Sequence, residues 1–263
     1  MLMVAIAAVL LCGCSEEETI IEKVQYQQQR FVKTLDCNEN DPGCSRVVIE
    51  FPAIESAPGP TAADSIMKVV GSFIFDETSG SKNLDSLMNG FIEMVREFRE
   101  DNRNSAMGLM WMETMVEIIG DTNGVISLRA EIEGYTGGAH GFSTTLFANR
   151  DSYTGREVIL EDILIEEYEE PLTAAGEKVL RRQQGLGPED NLEKAGFWFP
   201  EGNFYLNDNY AIIGRGLVFY YNAYEIAAYA HGPTEILIEY DDIGNLISEE
   251  GLFGDRRRAG LSD

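Results

Sequence analysis

His140 and His231 are the chain's only histidines, and each sits in the same tripeptide, Ala139-His140-Gly141 and Ala230-His231-Gly232. If the two loops meet, they could offer two ligands to a metal, with Asp151 or Glu225 completing the set. Zinc sites draw on three or four protein ligands, and the sequence has neither a helical His-x-x-x-His spacing nor a third histidine. The expected role is therefore structural. The glycines permit turns at positive φ, the imidazoles bond nearby backbone, and no metal or other cofactor is expected.

Nucleophilic and carboxylate chemistry find no better footing. There is no Gly-x-Ser-x-Gly elbow, and Ser143, near His140, falls in a run that reads as strand beside a turn. The pairs Glu161-Asp162, Glu166-Glu167, Glu169-Glu170 and Asp241-Asp242 supply carboxylates, but glycoside hydrolysis needs two of them held across a cleft, which abundance does not show. Glu157 to Glu170 carries seven acids and no base. It lacks the alternating Asp-x-Asp-x-Asp-Gly calcium loop, so a solvated face is expected. No catalytic residue is assigned. Phe197-Trp198-Phe199-Pro200 and Phe204-Tyr205, with Asn203, Asn207 and Asn209, have the composition of a sugar-binding face, aromatic platforms beside amide donors, although core packing is the commoner fate of such aromatics.

The elements that must position these residues are legible as periods. Val47, Ile49 and Phe51 alternate with Val48 and Glu50 and predict a strand ending at Pro52. Thr61 or Asp64 opens a short helix carrying Ile66, Val69 and Val70. From Ser81 to Arg103, Leu84, Leu87, Met88, Phe91, Met94, Val95 and Phe98 recur at spacings of three and four, a helical stripe. Two alternating runs, Met112 to Ile118 and Ile126 to Ile132, flank Asn123-Gly124, a hairpin signal. A further strand is expected near Thr144 to Asn149, a second helix from Leu172 to Arg181, and strands at Leu217 to Tyr221 and Glu235 to Tyr240. Helices and strands are segregated, with no regular βαβ alternation. The fold class is thus α+β, an antiparallel sheet with helices packed on it.

The chain has 263 residues, 45 Asp+Glu against 20 Lys+Arg and a formal net charge of −25. Such a surface repels phosphate, so nucleic acid is excluded as a partner. The 44% hydrophobic content supports a real core rather than a disordered acidic polymer. Met1 to Leu11 is apolar, too short to span a bilayer, and runs into Leu11-Cys12-Gly13-Cys14. This resembles a bacterial lipoprotein signal, with residues 1–13 removed and Cys14 carrying acyl chains of the palmitate kind, so the bacterial membrane is a partner through the anchor. The implied location is the cell envelope, extracytoplasmic, on the outer membrane or cell surface. Residues 14–45 read as an acidic and polar tether, with at most one edge strand. Within it Cys37 and Cys44 flank an Asp-Pro-Gly turn and are expected to form a disulfide in an oxidising compartment.

The segment Gly134-Tyr135-Thr136-Gly137-Gly138-Ala139-His140-Gly141, with Asn149, Thr154-Gly155 and Leu160-Glu161-Asp162-Ile163-Leu164, resembles a known family. So does Gly216 to Ala230, which includes Tyr224-Glu225-Ile226-Ala227, with the later Gly232. Both are similar to the paired domains of unknown function in the RsiV lysozyme-sensing anti-sigma factors and beside the catalytic domain of PdaC peptidoglycan deacetylases. The resemblance covers about residues 46 to 250. It implies a 46–253 extracytoplasmic α+β module, with an N-terminal part at 46–133, a C-terminal part at 134–250, and a 254–263 tail. Neither a sigma-binding segment nor a deacetylase domain is seen, so a transcriptional role is not expected. The implied function is non-enzymatic binding of a cationic protein such as lysozyme, or of peptidoglycan. Tyr135, Gly137, Gly138, His140, Trp198 and Tyr224 are the candidate ligand-binding residues. The alternatives are a metal-assisted, glycan-modifying enzyme and a purely structural envelope protein.

Overall fold

The computed structural model describes residues 23–41, 43–75, 83–101 and 109–259. The signal segment, Cys14 and the acidic run at 16–18 lie outside the described residues. The described chain opens with a hairpin, β1 (Gln25–Thr34) antiparallel to β2 (Arg46–Ser56). The Cys37–Cys44 disulfide closes its loop, with the Cα atoms 5.6 Å apart. The polar segment thus contributes a full ten-residue edge strand to the sheet. Pro52 does not end β2: the pairing of β2 with its inner neighbour stops at Glu50, so at Pro52 that side of β2 has no ladder to break.

Two helices follow, α1 (Ala62–Ile74) and α2 (Leu84–Asp101). Then come β3 (Trp111–Thr122), β4 (Val125–Tyr135) and β5 (Phe142–Asp151), giving a five-stranded sheet in the order β1-β2-β3-β4-β5. Asn123 (φ 51°) and Gly124 (φ 72°) take the left-handed backbone that a two-residue hairpin turn needs. The sheet departs from the antiparallel expectation at one place, because β2 and β3 run parallel. A parallel pair needs a long crossover, and α1 and α2 supply it. Ala62, Ile66 and Val70 of α1 pack on Val116, Ile126, Leu128 and Ala130. Met88, Phe91, Ile92 and Val95 of α2 join Leu35, Val47, Ile49 and Met110. Both helices bury most of the apolar stripe that their sequences carry, but Met94 of α2 is exposed and Ile92 is buried instead.

The C-terminal half builds a second core. Helix α3 (Glu169–Gln184) packs on a three-stranded antiparallel sheet of β6 (Tyr210–Ile213), β7 (Gly216–Tyr221) and β8 (Thr234–Glu239). Two short helices, α4 (Tyr240–Ile243) and α5 (Leu252–Arg258), complete it, and Phe253 of α5 is buried. The two sheets meet through polar groups. Asn149 of β5 donates to the Tyr210 carbonyl at 3.0 Å and accepts from the Ile212 amide at 2.8 Å. The hydroxyl of Ser127 in β4 donates to the Ile212 carbonyl at 2.5 Å. Among the described residues no helix is long and apolar enough to cross a membrane.

Candidate ligand-binding surface

The glycine-rich loop between β4 and β5 is closed by its own side chains. Gly137 sits at φ 85°, where a residue with a Cβ is strained. The Tyr135 hydroxyl reaches back and donates to the Gly138 carbonyl at 2.8 Å. His140 Nδ1 lies 2.7 Å from the Gly141 carbonyl, which can only accept, so this nitrogen carries the proton. With its backbone bond made, the His140 ring lies exposed and stacks on Tyr229, centroids 4.4 Å apart and planes at 24°. Tyr229 in turn contacts Tyr224 at 5.3 Å. The two Ala-His-Gly loops therefore do meet, through His140 on Tyr229. His231, itself exposed, sets its ring edge-on against the buried Phe197 at 4.9 Å.

The proposed completing ligands are engaged elsewhere. Asp151 is buried and accepts from the Tyr153 and Thr154 amides and from Arg256. Glu225 accepts from Asn207 Nδ2 and the Asn222 amide. Among the described residues no group of three His, Cys, Asp or Glu side chains is placed to share an ion. The acidic run is likewise organised by the protein: Asp162 takes a double hydrogen bond from Arg156 and one from the Ile159 amide. Burial by itself would raise its pKa, and these donors outweigh burial and hold it below the ordinary carboxylate value.

The aromatic segment divides between core and surface. Phe197, Phe199 and Phe204 are buried, whereas Trp198 is 49% exposed and Tyr205 is also exposed. The Trp198 amide donates to the Ile226 carbonyl at 2.9 Å, and Phe197 bridges to Ala227. Trp198 is thus tied by its backbone to the segment that carries Tyr224 and Tyr229, which are 58% and 41% exposed. Tyr224 is held at φ 70°, a conformation a tyrosine adopts only at a cost of roughly 1 kcal/mol or more. Its turn is fixed by the Glu225 amide bonding the Asn222 carbonyl and the Asn222 amide bonding the Glu225 carboxylate. Burial, followed by the charge of Glu225, raises the Tyr205 pKa above the ordinary tyrosine value.

His140, Tyr229 and Tyr224 form an exposed aromatic platform assembled from both halves of the chain, and the exposed Trp198 is tied by its backbone to the segment that carries the two tyrosines. Tyr135, Gly137 and Gly138 serve it by shaping the loop that presents His140. Of the three amides expected to serve a sugar, Asn203 is exposed and the other two are committed to the fold. Asn207 bonds the Tyr220 carbonyl and Glu225, and Asn209 bonds the Thr145 and Tyr220 carbonyls. Tyr229 was not among the sequence candidates. Its one local signal is its place just before the second Ala-His-Gly, which identifies a loop and not a stacking partner.

Residues 161–241, which carry Trp198, Tyr224 and Tyr229, match the family model described as protein of unknown function DUF3298. No curated protein matches the chain. Among solved structures, a member of the DUF3298 family from Bacteroides fragilis aligns with a TM-score of 0.69 at 21% identity, covering 89% of this chain and 98% of that one. A DUF3298 family protein from Pseudomonas aeruginosa aligns with a TM-score of 0.60 at 17% identity, covering 86% and 94%. At such identities the likeness is one of fold. The chain thus contains a DUF3298 domain at residues 161–241 within a fold that it shares, over most of its length, with solved proteins of that family.

Proposed function

We propose that this protein is a non-enzymatic, lipid-anchored module of the bacterial cell envelope that binds peptidoglycan glycan on its aromatic platform. The carrying observation is the exposed stack of His140, Tyr229 and Tyr224, with Trp198 tied beside it. Aromatic faces left open to water, with polar edges, suit the apolar faces of pyranose rings. The positive φ of Tyr224 supports the reading, because strain of this kind concentrates where a side chain must be presented. The lipobox-like Leu11-Cys12-Gly13-Cys14 supports the anchor and the extracytoplasmic location. The experiment is sedimentation of the protein with purified peptidoglycan sacculi, wild type against Tyr229→Ala and Trp198→Ala. Each variant is expected to weaken retention by about tenfold while the fold is kept. Unchanged retention in both, or none in the wild type, removes the reading.

A second reading, capture of a cationic protein such as lysozyme, is supported by the charge of −25 and by a specific surface. Glu157, Glu161, Glu166, Glu167, Glu169 and Glu170 are exposed, and Ile159 and Ile165 are exposed among them. Charge of this kind speeds encounter with a basic partner and makes binding salt-sensitive. Calorimetry against hen lysozyme at low and high salt tests it, and no heat at low salt removes it.

A further inference from the structure

Strand β1 is the outer strand of the five-stranded sheet, and among the described residues its strand partner is β2 alone. One side of a ten-residue strand therefore presents backbone donors and acceptors outward, and residues 25–31 are exposed. Proteins blunt such edges with proline, outward charge or a covering element. Gln25–Thr34 has no proline and, in a chain of net charge −25, no acid. Its two cations are satisfied within the chain, Arg30 by Glu39 and Glu50 and Lys33 by Asp85 and Asn89. What is left outward is a neutral, glutamine-rich edge with Tyr26 and Phe31 exposed.

We propose that this edge pairs with β1 of a second copy, joining two five-stranded sheets into one. The strand's own sequence selects the occupant, because it is acid-free and can face its own image with no like charges opposed. Two copies repel each other as polyanions, and an acid-free strand facing its own image is a meeting place that adds no negative charge. An antiparallel two-fold pairing has its axis normal to the sheet, so opposed residues must share a face. Centred on Gln29, it sets Gln28 opposite Arg30, Tyr26 opposite Val32, Gln27 opposite Phe31 and Gln25 opposite Lys33. No like charges are opposed and the exposed aromatics are covered, whereas a centre on Arg30 would oppose that cation to itself. His140 lies in the loop leading to β5, the strand at the other edge of the sheet, so pairing at β1 leaves both aromatic platforms open.

Sedimentation equilibrium of the full chain is expected to show a concentration-dependent species at twice the 29.3 kDa chain mass. Gln29→Glu, which faces itself across the two-fold axis, is expected to weaken the dimer by about tenfold with an unchanged circular dichroism spectrum. Gln29→Cys is expected to give, under mild oxidation, a peptide cross-linked through position 29 of both copies, since directly opposed strand residues lie within disulfide reach. A monomer at every concentration overturns the proposal. So does a dimer that Gln29→Glu leaves intact and that Gln29→Cys fails to cross-link.

Discussion

Arg256 of the C-terminal helix donates to the carboxylate of Asp151 at 2.7 Å, and that carboxylate is only 4% exposed. The guanidinium also lies over the Tyr153 ring, 4.1 Å from its centroid. Asp151 ends β5, so this pair straps α5, in a segment expected to be a tail, onto the five-stranded sheet. Arg256→Ala leaves a buried carboxylate with two backbone donors and without the cation that hydrogen-bonds it. Removing one partner of a buried pair costs about 3–5 kcal/mol. Urea unfolding at neutral pH is expected to show a loss of that size for Arg256→Ala, and a smaller one for Arg256→Lys. A loss under 1 kcal/mol would mean that the strap is dispensable.

Tyr224 separates stability from function. At φ 70° it occupies backbone space that glycine enters freely, and its ring is mostly in water. Tyr224→Gly is therefore expected to leave stability unchanged or raise it by up to about 1 kcal/mol, while lowering retention on peptidoglycan. Thermal unfolding and sacculus sedimentation of the same preparation check both halves. A variant that loses stability and keeps binding would show the tyrosine to be a packing residue.

Asn209 takes the place of a strand. Its Oδ1 accepts from the Phe147 amide at 3.0 Å, and its Nδ2 donates to the carbonyls of Thr145 at 2.9 Å and Tyr220 at 3.1 Å. Asn222 does the same one step along, accepting from the Thr145 amide at 2.7 Å. Two side chains thereby cap the β5 edge, whereas the β1 edge on the other side of the sheet has no such cap among the described residues. Asn209→Ala strands the Phe147 amide, at a cost of about 1–3 kcal/mol. The expected signature is local: faster hydrogen exchange at Phe147, with Leu128 in β4 still protected. Unchanged exchange at Phe147 would show that water replaces the asparagine without penalty.

These contacts show where a sequence stops being informative. Elements whose cause is local were legible: the three-and-four stripe from Leu84 to Phe98 became α2, the Asn123-Gly124 turn became the β3–β4 hairpin, and Cys37 and Cys44 paired around their turn. Those whose cause is distant were not. Gln25–Thr34 lacks an alternating apolar pattern because most of β1 lies in water at the sheet edge. The parallel β2–β3 register leaves no mark in either strand. The site was half legible. Glycine and histidine marked the loop and Trp198 the segment, but stacking of His140 on Tyr229 joins residues 89 positions apart, which no local spacing encodes.

Four buried or half-buried tyrosines set the alkaline limit of the fold. Burial raises Tyr210 to about 12, helped by Glu161. Tyr168 is raised further by burial and by donating to Glu161 at 2.9 Å. Tyr221 and Tyr240 are likewise raised well beyond the ordinary range, chiefly by burial. In the unfolded chain each loses its proton near pH 10. The folded chain then holds more protons than the unfolded one, so stability falls as pH rises. The contribution is complete below pH 10 and is lost as pH climbs through 10 toward the folded-state values. Urea midpoints measured from pH 8 to 11 are expected to be level at first and then to drop with increasing slope. Tyr240 is the discriminating position, because its hydroxyl has no hydrogen-bond partner among the described residues. Tyr240→Phe removes one buried proton site and an unsatisfied hydroxyl together. It is expected to be neutral or stabilising at pH 8 and to flatten the alkaline slope. A steeper slope, or a loss of stability at pH 8, would show that the hydroxyl is bonded after all and that burial is not what raises its pKa.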